Sequence, residues 1–228
     1  MKKVLALILA LVLVLSLAAC SSNNNNEKGE ESKASISKEE MLENAQPASR
    51  KTLFEEAYNN IARARSTYVN NTYSVWGFIS DIDNDSITLS GFYPGLIQAY
   101  MPSDEIIKLN AGDRIQIVGT VSEIVAKTVD ILFIMNNAYF VTDVYEIKDA
   151  MGIDINYSRI TNTYICHVED DNFGNISFST NKITNAQWNK YNGNDFKVSA
   201  SGKFIKAPSG YENGFPFMDD SNFELFDN

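Results

Sequence analysis

The sequence is short of the side chains that carry most metal and covalent chemistry. In 228 residues it holds one histidine, His167, and two cysteines, Cys20 and Cys166. Zinc sites draw on several thiolate or imidazole ligands, so no zinc and no other cofactor is expected. A Ser-His-Asp triad would have to use His167, and no serine sits in the glycine pattern of a nucleophile elbow. Cys166 and His167 are sequence neighbours. On a strand, adjacent side chains point to opposite faces, which denies the pair the hydrogen bond of a Cys–His nucleophile. Ser179 to Lys182 (STNK) fits S-x-x-K, a pattern frequent by chance and here without its partner motifs. The expectation is therefore a protein without catalytic machinery. Basic residues are also scarce, 19 against 29 acidic, and the densest pair, Arg63 and Arg65, lies on an expected helix. Binding a phosphate backbone takes clustered cations, which counts against nucleic acid as a partner. Long apolar runs are confined to one, residues 4–17.

That run begins after Lys2 and Lys3, is interrupted only by Ser16, and ends in Leu17-Ala18-Ala19-Cys20. A positive start, a short apolar core and small residues before a cleavage point mark a secretory signal, since a membrane-spanning helix takes roughly 20 apolar residues. The tetrapeptide resembles the lipobox of bacterial lipoproteins. That resemblance implies removal of residues 1–19, a diacylglyceryl thioether and a palmitate-type acyl group on Cys20, and a lipid anchor on the extracytoplasmic side of the cell membrane. The alternatives are an ordinary secretory signal or an uncleaved anchor. Two or more acyl chains hold a protein stably on a bilayer. With Cys20 consumed, Cys166 has no intramolecular partner and no disulfide framework can form. Residues 21–35 (SSNNNNEKGEESKAS) contain no large apolar side chain and cannot bury a core. Together with Cys20, residues 20–36 are read as a disordered linker of about 15 residues that reaches roughly 20 Å. Removing Lys2 and Lys3 leaves 17 basic against 29 acidic residues, a net charge of −12 for the mature chain. This favours solubility and repels anionic partners.

Eleven tyrosines and thirteen phenylalanines favour β structure. Ser37, with Glu40 three residues on, forms a capping box that opens a short helix ended by Pro47. Ser49 caps a second helix with Phe54, Ala57, Tyr58, Ile61, Ala62 and Arg65 on one stripe. The period then changes to two. Strands are expected at residues 73–80, 86–90, 96–101, 113–124 (with a bend at Gly119) and 131–141. DIDND turns between the first two, and a helical turn at 104–109 precedes the fourth. Five strands with a helix between the third and fourth is the layout of the OB-fold, a small Greek-key barrel.

Residues 52–141 resemble the tRNA-anti-like OB-fold domains of bacterial lipoproteins. The resemblance rests on Ala57-Tyr58, Asn60 and Ala64 on the leading helix, Val75-x-Gly77-x-Ile79 and Ile87-x-Leu89. The most specific string runs from Ala111-Gly112-Asp113 through Ile115, Ile117 and Gly119 to Val121. It covers under half of the chain and implies the barrel fold; the family name reflects a fold relationship, not tRNA binding.

The remainder repeats this pattern. Residues 164–179 (YICHVEDDNFGNISFS) align without a gap on residues 75–90 (VWGFISDIDNDSITLS). Lys190, Tyr191, Asn192 and Asp195 match Lys108, Leu109, Asn110 and Asp113. With one inserted residue, Val198, Ala200 and Gly202 then match Ile115, Ile117 and Gly119. From Gly202 to Met218 the spacing equals that from Gly119 to Met135. The fold class expected is thus mainly β: tandem OB-fold modules, each a five-stranded Greek-key barrel, the first preceded by an α-helix. Residues 37–141 form the first module with its leading helices, and residues 142–228 a shorter second one. In the second module the third strand is expected to be reduced or missing, and residues 142–163 are an unassigned connection.

OB barrels bind ligands across strands two and three and the flanking loops. Trp76, Phe78, Tyr93 and Tyr100 are the rings that could stack there, although most also fit a core. Stacking on bases needs a cationic groove as well, so a glycan, peptide or protein of the cell envelope is the preferred ligand. A single-stranded nucleic-acid binder comes second and an enzyme with an unrecognised site third. Asp81, Asp83 and Asp85 alternate like the start of a calcium loop, but Ser86 replaces the turn glycine and Phe92 the closing glutamate. A solvated hairpin turn is the main reading and a non-EF-hand calcium contact the alternative, echoed by Asp170 and Asp171.

Overall fold

The computed structural model of the protein describes residues 37–128, 130–208, 210–211 and 215–228. The signal sequence, Cys20 and the linker (residues 1–36) lie outside them. Among the described residues no helix is long and apolar enough to cross a membrane.

The chain enters the first barrel through three short helices. Helix α1 (Lys38–Asn44) is capped by Ser37, whose side chain accepts from the Glu40 N–H at 3.2 Å. A two-residue strand, β1 (Gln46–Pro47), then runs parallel to Tyr73 and Ser74. The single helix expected after Ser49 is two. Helix α2 (Arg50–Asn59) is capped by Ser49 and helix α3 (Ile61–Tyr68) by Asn60, which also ends α2. Asn60 has extended backbone, and its carboxamide accepts from the Arg63 N–H at 3.0 Å. Asn competes well for such caps and poorly for helix interiors. The buried stripe is Arg50, Leu53, Phe54, Ala57, Ala64 and Tyr68. Tyr58, Ala62 and Arg65, placed on the stripe by spacing alone, are turned outward.

Strands β2 (Thr72–Ile82), β3 (Ser86–Ser90), β4 (Leu96–Tyr100), β5 (Arg114–Ala126) and β6 (Ile131–Thr142), with the helical turn α4 (Ser103–Ile106) before β5, make the first barrel. The sheet order is β2-β3-β4-β6-β5, closed by β2 against β5. The β4–β6 pair is parallel. Alternate residues of β2 (Tyr73, Val75, Gly77 and Ile79) are buried, as period-two side-chain geometry requires. Gly119 lies at a register shift between Val118 and Thr120, and a Cβ there would press on the Ala138 Cβ at 3.1 Å. The expected bend is a β-bulge. Phe54 and Tyr68 pack edge-on against Phe133, so the helices plug one end of the barrel.

Asp143 alone separates β6 from β7 (Val144–Ser158). The second barrel continues with β8 (Thr163–Asp170), β9 (Gly174–Thr180), helix α5 (Asn185–Tyr191), β10 (Phe196–Ile205) and β11 (Phe217–Met218). Its order, β7-β8-β9-β11-β10 with β10 back on β7, reproduces the first barrel, including the parallel pair of third and fifth strands. A further strand, β12 (Glu224–Asp227), borders β10. The chain thus holds two closed five-stranded barrels in tandem, with helices before the first.

Two details of the expected repeat are corrected. Residues 144–158 form the first strand and are not an unassigned connection. The β8–β9 hairpin, aligned on the first and second strands of barrel one, supplies the second and third instead. The third strand is intact over Gly174–Thr180; the fifth is the short one. Antiparallel hairpins share one alternation wherever they sit in a barrel, so a gapless match cannot say which hairpin it has found. The alternation of β7 is broken by Asp149 at φ 53° and by a register shift between Gly152 and Asp154, which hides it from a period-two search. Beyond α5 the alignment holds to the residue: Val121 pairs with Met135 in barrel one, and Phe204 with Met218 in barrel two.

Candidate functional site

The rings singled out for stacking have separate fates. Trp76 points out of barrel one but is covered by barrel two, packing edge-on against Tyr145 at 4.7 Å and Phe173 at 6.4 Å. It belongs to the second barrel's core cluster with Tyr145, Phe173 and their neighbours and is not available to a ligand. The β8–β9 turn brings this cluster in. Asp170 accepts from the Asn172 and Phe173 N–H groups and from the Tyr145 hydroxyl at 2.6 Å. Burial raises the Asp170 pKa, and these three donors oppose that shift. Asp171 accepts from the Lys51 backbone N–H at 3.0 Å and from its Nζ at 3.3 Å, and Asn172 accepts from the Arg50 N–H. Asp170 and Asp171 therefore shape a turn and clamp the start of α2; they do not echo a calcium loop.

Phe78, Tyr93 and Tyr100 keep part of their surface open. Register places Thr88 opposite Gln98 and Ser86 opposite Tyr100 on β3 and β4. The Thr88 hydroxyl, the Gln98 carboxamide and the Tyr100 hydroxyl make no hydrogen bond among the described residues, and all three residues are at least partly exposed. This face is polar, and its one flanking charge is the exposed carboxylate of Asp81, opposite Thr88. Asp81, Asp83 and Asp85 are exposed at the β2–β3 turn, which closes by an Asp83 N–H to Ser86 carbonyl bond of 2.8 Å. Among the described residues no group of three or more His, Cys, Asp or Glu is placed to hold a metal ion.

The corresponding face of barrel two is occupied by its own groups. Asp154, His167 and Ser177 form a row across β7, β8 and β9, directly opposite one another. His167 Nδ1 lies 2.7 Å from Ser177 Oγ, and Nε2 3.8 Å from Asp154 Oδ1. The three residue types are those of a hydrolytic triad, a juxtaposition the sequence spacing did not suggest. Ser177 is fully buried, however. Its N–H donates to the Pro216 carbonyl, and Phe215 stacks edge-on to the imidazole at 5.7 Å. A nucleophile must reach the reacting carbonyl, and this one is sealed. Burial lowers the His167 pKa, with Asp154 acting in the opposite sense. Cys166 points the other way, into the core, and burial pushes its thiol pKa far up. Ser179 bonds Thr163 at 2.7 Å, and Lys182 donates to the carbonyls of Asp220 and Ser221, so the S-x-x-K residues do not meet.

A cleft of ≈ 420 Å³ opens where the two barrels join. Barrel one contributes the loop before β5 and the first residues of that strand, and barrel two the end of β10. Four cations line it (Lys108, Arg114, Lys203 and Lys206), with two carboxylates, Asp113 and Asp143. Asp113 accepts from the Asn110 N–H at 2.9 Å, and Asp143 pairs with Lys203 at 2.6 Å. The Arg114 guanidinium lies over the Phe204 ring, 5.3 Å from its centroid. Burial lowers its pKa. No sequence window contains this group, because Arg114 and Lys203 are brought together only by the docking of the barrels.

No protein-family model matches the chain, and no curated protein is similar to it. Among solved structures, one from Klebsiella pneumoniae subsp. pneumoniae MGH 78578, described as a "putative nucleic acid-binding lipoprotein", is similar over 44% of this chain and 95% of its own. The identity is 20% and the TM-score 0.39.

Proposed function

We propose that the protein is a lipid-anchored, extracytoplasmic binding protein of the cell envelope, without catalytic activity, that recognises an uncharged peptide or glycan surface through barrel one. The observation that carries this reading is the asymmetry between two equivalent faces. On barrel two the central polar groups of the strand-two and strand-three row are engaged, as in the His167–Ser177 and Thr163–Ser179 contacts. On barrel one Thr88, Gln98 and Tyr100 are open and unpaired among the described residues. Hydroxyl and carboxamide groups beside an aromatic ring are suited to sugars and to peptide backbone, which offer both donors and acceptors. Nucleic acid would need cations beside these groups, whereas Thr88 has the carboxylate of Asp81 opposite it.

An array of envelope glycans and peptides probed with the mature chain tests it. Binding to one class, reduced about tenfold by Gln98→Ala, supports the proposal. No binding on the array, or retardation of mixed oligonucleotides at low salt, overturns it. Labelling of Ser177 by a fluorophosphonate would overturn the non-enzymatic part. For the anchor, Cys20→Ala should abolish palmitate incorporation and release the protein from membranes.

A further inference from the structure

We propose that the cleft between the barrels is a second binding site, for a small ligand that joins a carboxylate or phosphate group to an apolar body. It is independent of the Thr88–Gln98–Tyr100 face on barrel one. The first observation is the local reversal of charge. A chain of formal net charge −10 gathers four cations here against two carboxylates. Both carboxylates are engaged, Asp113 with its own loop and Asp143 with Lys203. Lys108 pairs with Glu105 at 3.8 Å, so Arg114 and Lys206 are the cations of the cleft left without an ion pair among the described residues.

The second observation is Arg114. It has no ion pair among the described residues; its guanidinium carbon lies over Phe204, 5.3 Å from the ring centroid. Taking a cation out of water without a counter-charge is unfavourable, and this chain has 29 acidic side chains from which a partner could be drawn. A guanidinium over a ring keeps its N–H fork free of other partners, and that fork recognises carboxylate and phosphate in bidentate fashion. The shift of its pKa by burial agrees with this partial desolvation. Lys206, exposed on the cleft rim, likewise lacks an ion pair among the described residues.

Shape completes the argument. Leu109, Ile115, Phe140 and Ile205 line the cleft beside the charges, so an anion with an apolar body is favoured over a bare ion. The volume falls in the range of small-molecule sites. A polyanion would meet the acidic remainder of the surface and be repelled. The barrels are joined by one residue and packed through Trp76, so the cleft is preformed and binding costs little ordering.

The test uses the full chain in detergent micelles, titrated calorimetrically with phenyl phosphate, phenylacetate, inorganic phosphate and the neutral benzyl alcohol. The expected result is millimolar or tighter binding of phenyl phosphate or phenylacetate, weaker binding of inorganic phosphate and none of benzyl alcohol. The phosphate and carboxylate arms tell the two anion types apart. Arg114→Gln should weaken binding at least tenfold, and Gln98→Ala should leave it unchanged, which separates this site from the face on barrel one. Should Arg114→Gln fail to fold, Lys206→Gln on the rim should still lower affinity about threefold. No binding of either aromatic anion up to about 10 mM, affinity indifferent to both substitutions, or binding of oligonucleotides alone would overturn the proposal.

Discussion

With its side chain fully buried, Arg50 donates to the Gly95 carbonyl at 2.8 Å and lies over the Phe54 ring, while Nε and Nη1 find no acceptor among the described residues. Burial brings its pKa down to about 10, so the charge persists at neutral pH. Buried charges are often replaceable by apolar groups of like volume, whereas truncation leaves a cavity. Arg50→Met should therefore match or exceed the parent by about 1 kcal/mol. Arg50→Ala should lose about 2–5 kcal/mol, both read from urea midpoints. His167 gives a pH test. The fold holds its imidazole neutral, with the pKa below the ordinary value. As pH falls through about 6.5, the unfolded chain takes up the proton first, and stability declines until the folded-state pKa is passed. His167→Asn should flatten the loss between about pH 7 and about pH 5 in the same denaturation series.

At the scale of elements, β7 shows what a sequence conceals. The hairpins of barrel one could be read directly because Val75, Gly77 and Ile79 alternate without interruption and DIDND can only turn. The β7 strand carries a positive φ at Asp149 and a bulge at Gly152, so its buried residues follow no single period. The break at Asn60 was hidden for a related reason: the buried spacing runs on from Ala57 to Ala64 across it, and only the cap chemistry of Asn marks the interruption. At Gly152 a Cβ would overlap the Phe196 ring, so the bulge exists to let strand and ring approach. Gly152→Ala should cost about 1–3 kcal/mol or more, seen as a lower Tm. Of the candidate sites, the aromatic residues were visible in the sequence but their surroundings were not. Trp76 and Tyr100 have the same signature, and only the position of the second barrel distinguishes a sealed ring from an open one. The cationic cleft left no sequence trace, because charge clustering there is a property of docking.

For the whole molecule, Trp76 and the β8–β9 turn make the barrels one body. Trp76→Ala should cost about 3–5 kcal/mol and split a single calorimetric transition into two, since Trp76 is the barrel-one side chain built into the second barrel's core cluster. The two closures are unequal. In barrel one, β5 and β6 pair from Gln116↔Thr142 to Ala126↔Ile131, whereas barrel two is closed by Phe204↔Met218 and Ile205↔Phe217 with one adjoining bond from the Asp219 N–H to the Lys203 carbonyl. Amide exchange should accordingly be fastest, among the barrel strands, at residues 217–218, reporting a local opening far cheaper than global unfolding. Such an opening would free the edge of β9 and the end of β10 that β12 does not cover, and would uncover Phe178, an apolar edge of the kind that recruits a second chain. The two-residue strand β11 is thus the weakest barrier in barrel two to strand exchange with a second chain.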